Sequence, residues 1–352
     1  GQIWTFNETT GVLSLIPAAM ITSFVVPGSA VVIDQVAKTI VLTVPGGTSL
    51  ATLAPTFTLT SGTCNQTSGS PPSPTFAVQN PADYTVTDGA TVNHYTVTVQ
   101  TYQAWQYSAS FYILTTTNGA NLPASGSETN FPVLVPLNPD FFNFGQAKAD
   151  GSDIRFATTN GTGIAYQIDE WTATNASIWV RVPAIKGNTN QEIIMYWGKS
   201  DAVSESSGPA VFNSSNGYVS VLHMTDPTQD AVGTLAPGNV NTTAGSGVIG
   251  SARHFVAGQG INCGTSITTF PAGSNPFSTE TWVRADASGN TLVAWGIEQG
   301  QGKVVMQLAS PPHINMDCYF GGGNVSGGST LALSQWYHVA HTYQSGQARL
   351  YI

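Results

Sequence analysis

Catalysis needs reactive side chains at usable spacings, so the histidines and carboxylates come first. The six histidines are His94, His223, His254, His313, His338 and His341, and none stands beside a Gly-x-Ser-x-Gly turn or similar nucleophile context. His223, His254 and His338 lie inside alternating apolar phrases, where packing is the expected role. Asp169 and Glu170 are adjacent, so on a regular strand they point to opposite faces. Glu280 is isolated, and no Glu-x-Asp-x-x-Glu spacing offers the acid and base of a glycosidase. Asp153 and Arg155 share a strand face at i, i+2, with Arg181 as a third member, which reads as an internal ion pair. The three cysteines, Cys64, Cys263 and Cys318, have no CxxC or zinc-finger spacing, so a metal cluster is not expected. No catalytic residue and no cofactor-binding residue emerges.

Residues 313–320 carry a different pattern. Ile314, Met316, Cys318 and Phe320 alternate with His313, Asn315, Asp317 and Tyr319. If the apolar set faces a core, the other set lines the opposite face of the strand. Asn, Asp, His and Tyr together supply hydrogen-bond partners and a stacking ring, which is what a sugar needs.

The elements that position these residues read as strands. Ile40, Leu42 and Val44 alternate with Val41 and Thr43, and Tyr95, Val97 and Val99 with Thr96 and Thr98. Asp88-Gly89 between two such runs is a hairpin signal. Residues 21–100 make about seven short strands, the pattern of an Ig-like sandwich. Tyr107, Ala109, Phe111 and Ile113 form one strand face, and Ile178, Val180 and Val182 another, with Trp179 and Arg181 opposite. Ser14–Ile33 is nearly apolar, but Pro17, Pro27 and Gly28 interrupt it and no basic residue flanks it. It reads as two buried strands joined by a Pro-Gly turn, not as a membrane span.

Only 8% of the 352 residues are Asp, Glu, Lys or Arg, against roughly 25% in a typical soluble domain. Lys38 is the only Lys or Arg before Lys148 and the net charge is −9, which excludes an electrostatic nucleic-acid binder. A charge-poor, Thr-rich surface suits a secreted or cell-surface protein.

Several phrases resemble known families. Gly-Ser-Asp-Ile-Arg-Phe (151–156), Tyr-Gln-Ile-Asp-Glu-Trp (166–171), Ile-Trp-Val-Arg-Val-Pro (178–183) and Ile-Met-Tyr-Trp-Gly (194–198) resemble a bacterial cell-surface domain, domain-of-unknown-function family 2341. Ile-Thr-Ser-Phe (21–24) and Tyr-Thr-Val-Thr-Val (95–99) resemble the start and end of a bacterial Ig-like repeat. Tyr-Val-Ser-Val-Leu-His-Met (218–224), Ala-Arg-His-Phe (252–255), Ser-Thr-Glu-Thr-Trp-Val-Arg (278–284) and Gln-Trp-Tyr-His-Val-Ala-His-Thr-Tyr (335–343) resemble a laminin-G/concanavalin-A-like jelly roll, C-terminally incomplete.

The resemblances imply an all-β chain of three consecutive β-sandwiches: Ig-like over 21–100, the unknown-function family over 101–215, and laminin-G-like over 216–352. Residues 1–20 form a strand-like lead segment, from a preceding domain or for pairing between subunits, and both ends look cut from something longer. In a laminin-G-like architecture the face carrying His313, Asn315, Asp317 and Tyr319 is the usual sugar-binding surface, while Trp282 and Trp336 are expected in the core. Such domains often bind calcium at a loop edge, for which Asp226 and Asp230 have the right chemistry. Cys263 and Cys318 fall in the same domain and are the candidate disulfide, two independent thiols being the alternative.

The function expected is a non-catalytic extracellular structural or adhesive protein, a fibre or surface-layer subunit that pairs with copies of itself or with adjacent domains through strand contacts. The alternative is a glycan-binding accessory region of a secreted polysaccharide-degrading enzyme. Partners expected are other copies and extracellular glycans; no nucleic acid and no membrane-spanning segment.

Overall fold

The computed structural model describes residues 2–7, 12–44, 48–159, 161–297, 299, 302–317 and 324–352, with backbone alone for 2–7, 12–17 and 316–317. Strand makes up 45% and helix 4%, so the chain is an all-β protein built of sandwiches. It divides into two compact units: Gly1–His223 with Asp230–Gly233, and Met224–Gln229 with Thr234–Ile352.

The first unit holds two sandwich cores. In one, a sheet ordered Ala30–Asp34, Thr39–Val44, Thr91–Thr101, Ala82–Asp88, Thr63–Cys64 faces the pair Ile21–Val25 and Thr56–Leu59. The alternating residues Ile40, Leu42, Val44, Tyr95, Val97 and Val99 are all buried in its core, with Phe24, Phe76 and Tyr84. The hairpin forms with Asp88 opposite Thr91, so the two loop residues are Gly89 and Ala90. Gly89 takes φ 58°, which a side chain at this first loop position would strain. Pro27-Gly28 does join two strands, but Ile21–Val25 and Ala30–Asp34 belong to different sheets, so the turn carries the chain across the core.

The other core lies between the sheet Tyr107–Leu114, Asn190–Trp197, Arg155–Thr158, Gly163–Ile164 and the sheet Ser127–Leu137, Ala176–Lys186, Tyr166–Trp171. Ile178, Val180 and Val182 enter it as expected, and Tyr107, Ala109, Phe111 and Ile113 pack at its margin. Trp179 points the other way into a smaller cluster with Val211, Phe212, Ala231 and Val232. The central strand is therefore buried on both faces. Between Ile168 and Glu170 the register slips by one residue, so Asp169 sits in a bulge. The strand expected at 218–224 reduces to one bridge, Leu222 with Asp230.

In the second unit a sheet of Asn290–Gly296, Lys303–Leu308, Ile314–Asp317 and Val325–Ser326 accompanies a sheet of Phe277–Arg284, Trp336–Gln344 and Gln347–Tyr351. Met306, Leu308, Ile314, Leu331 and Val339 form the core. Trp282 is a correction to the expectation: it is 43% exposed on the outer face, 5.3 Å from the His338 ring. Strand alternation explains this, because Thr281 and Val283 take the inward positions.

Candidate functional site

The strand Ile314–Asp317 is held between Lys303–Leu308 and Val325–Ser326. Ile314 is fully buried opposite Leu308, which fixes the apolar face as inward. Asn315 then lies on the outward face, opposite Gln307 on one side and Ser326 on the other. Its Oδ1 is buried and has no hydrogen-bond partner among the described residues. A buried acceptor without a donor costs about 1–3 kcal/mol, so this face is short of one donor. His313 precedes the strand, and its Nδ1 lies 2.6 Å from the Pro311 carbonyl, to which it donates. Asp317 continues the same face at the backbone level, opposite Val305. Its side chain, and all of Tyr319 and Cys318, lie outside the described residues; the proposed Cys263–Cys318 bridge therefore does too.

Asp226 and Asp230 have different surroundings. Within the first unit, Asp230 is buried and its Oδ1 accepts from the Val221 N–H at 2.9 Å, with the Ser220 hydroxyl at 3.3 Å. In the second, exposed Asp226 pairs with the buried Arg253 guanidinium at 2.8 Å.

Two charged clusters in the first unit have partners that strand periodicity does not display. Arg155 pairs with Glu205 at 3.0 Å, not with Asp153, and both side chains are almost wholly buried. Its Nη groups donate to the Ser152, Ile154 and Val203 carbonyls. Asp153 instead accepts backbone N–H groups of Lys148 at 2.9 Å and Gly198 at 2.7 Å. Burial pushes the Glu205 carboxyl up in pKa, against the pull of the Arg155 charge. Thr43 also donates to Glu205, at 3.2 Å, which ties the strand Thr39–Val44 to the second core.

The other cluster lies beside the bulge. Asp169 Oδ2 lies 3.4 Å from His223 Nδ1 and 3.3 Å from Trp179 Nε1, while His223 Nε2 is 3.2 Å from the Gln167 amide oxygen. Burial raises the Asp169 pKa to about 6 and lowers that of His223 to about 4. With Gln167 accepting from Nε2, Nδ1 is left to face the carboxyl. Asp169 shares the face of Gln167 by alternation, but His223 lies more than fifty residues on, so no local spacing announces the cluster.

Among the described residues no three His, Cys, Asp or Glu side chains gather to hold a metal, and no helix is long and apolar enough to cross a membrane.

Comparison with known families finds three separate matches along the chain. Residues 21–99 match the family described as SGBP, N-terminal. Residues 150–220 match a domain of unknown function (DUF2341). No curated protein and no solved structure matches the chain. Residues 257–352, which contain the polar strand around Asn315, match the concanavalin A-like lectin/glucanases superfamily.

Proposed function

We propose that this chain is a non-catalytic, glycan-binding part of a cell-surface protein, with the sugar held on the face of the strand Ile314–Asp317. The single observation that carries the reading is Asn315, whose buried Oδ1 lacks a donor on the outward face of a concanavalin A-like sheet. With the half-buried Asn315 side chain turned outward, a sugar hydroxyl would supply that donor. The SGBP N-terminal match at 21–99 supports the same class, surface glycan binding. Adhesion follows from it, since a surface domain that grips an extracellular glycan joins two bodies.

Affinity electrophoresis in gels cast with soluble polysaccharides tests the reading. The wild type is expected to be retarded by at least one polysaccharide, and N315A and D317A to run faster in that gel. Reducing ends released on incubation are expected to stay at background; release above background makes the chain a hydrolase. Equal retardation of wild type and both variants removes the Asn315 face.

A self-assembling role has one observation in its favour. The strands Gln2–Asn7 and Val12–Pro17 pair with each other and with no other described strand, which leaves two open edges for strand addition. Negative-stain microscopy with the mass in solution separates the roles: filaments establish assembly, and a dispersed monomer removes it.

A further inference from the structure

One open cleft of the first unit has a wall of aromatic rings and a rim of uncharged hydrogen-bonding groups. It has a volume of about 360 Å³ and is lined by Tyr102, Trp105, Tyr107 and Tyr196 together with Gln103, Gln106, Ser108, Thr159 and Gly161. That size lies at the lower end of the roughly 300–1,000 Å³ of small-molecule sites.

The aromatic wall is held in place before any ligand arrives. Tyr102 stacks on Tyr196 with ring centres 4.9 Å apart and planes inclined by 14°, and lies 5.7 Å from Trp105. Trp105 Nε1 donates to the Asp153 carbonyl at 2.6 Å, and the Arg155 guanidinium sits 5.3 Å from its ring. Gly198, at φ 90°, brings the backbone so close to the Tyr107 ring that an added Cβ would stand 2.5 Å from it. The rim is different in kind. Gln103, Gln106, Ser108 and Thr159 are exposed, and among the described residues their side chains make no hydrogen bond. Tyr102 and Trp105 are buried and back the wall, so the half-buried Tyr107 and Tyr196 rings are the aromatic surface a ligand meets beside two free amides and two free hydroxyls.

Among the described residues no charged side chain lines the cleft. The cations nearest its Trp105 wall, Arg155 and Lys199, are paired with Glu205 and Asp201, so a phosphate, a uronate or a nucleotide would find no unpaired counter-charge among them. From the rings, the uncharged rim and the fixed wall we infer that this cleft is a second binding site, taking a neutral sugar residue of an extracellular glycan. It lies outside the concanavalin A-like unit, so the chain would grip a glycan at two independent places. The inference rests on the glycan-binding reading, and it adds a site and a preference for uncharged sugars.

Isothermal titration of the intact chain with neutral oligosaccharides and with oligouronates tests it, using Q103A/Q106A and, separately, S108W, which fills the cleft from an exposed position. All three changes are at exposed residues, so melting temperatures are expected to match the wild type. The expected result is two classes of site for a neutral oligosaccharide in the wild type. The variants lose one class, with at least a tenfold drop in its affinity, and N315A keeps it. Wild-type stoichiometry and affinity in both cleft variants would overturn the cleft while leaving the Asn315 face intact. Tighter binding of oligouronates at the cleft overturns the preference for neutral sugars. A wild type that binds no member of the set overturns both sites together.

Discussion

At the scale of the residue, the buried charges carry the sharpest expectations. Arg155 sits 1% exposed against Glu205, which is 6% exposed. Removing one partner of such a pair leaves the other charge buried alone, at about 3–5 kcal/mol, whereas replacing both with apolar groups is often near neutral. R155M is therefore expected to lower stability by about that amount in urea unfolding, and R155M/E205L to recover most of it. His341 gives the pH dependence. It is fully buried between the Phe277 and Trp295 rings, and neither ring nitrogen has a hydrogen-bond partner among the described residues. Burial lowers its pKa to about 4 from 6.5. The unfolded chain then binds more protons than the folded one between these values, so stability falls as pH drops from 6.5 to 4. H341F is expected to flatten that slope in melting curves of the second unit; an unchanged slope assigns the pH dependence elsewhere.

At the scale of the element, alternation made most strands legible. The faces at Ile40–Val44, Tyr95–Val99, Tyr107–Ile113 and Ile178–Val182 follow from period two alone, because in each the apolar residues recur at every second position. What alternation missed has physical causes. The partner of Arg155 is Glu205, fifty residues on in an irregular segment, so no local spacing announces it. The bulge at Asp169 breaks the parity that placed Asp169 and Glu170 on opposite faces of a regular strand. Trp282 was assigned inward from a family phrase, whereas the parity of its own strand sends it outward. The cleft at Tyr102–Tyr107 has no local sequence signature because it joins a turn to Thr159 and Gly161, outside any strand, and to Tyr196, some fifty and ninety residues away. The doubly buried strand Ala176–Lys186 is the element on which the second core depends. I178A is expected to cost about 2–5 kcal/mol, read as a lower urea midpoint.

At the scale of the whole molecule, the chain offers few charges and many hydroxyls and amides. With ten Lys and Arg in 352 residues, it has little electrostatic means to hold a polyanion. Binding that relies on hydrogen bonds and stacked rings is insensitive to screening. Affinity for a neutral glycan is therefore expected to change by less than about twofold when salt rises from about 0.05 M to about 0.5 M, where a binder of acidic polymers weakens steeply. The matches at 21–99 and 257–352 sit on separate sandwiches, which gives a surface protein one module on each side of the unknown-function region. The central claim is that this protein holds an extracellular glycan without cleaving it. The most direct measurement is retention of the intact wild-type chain on an immobilised panel of neutral and acidic polysaccharides. Retention by neutral members, released by free sugar and not by salt, is the predicted result. Passage of the protein through every member of the panel contradicts the account.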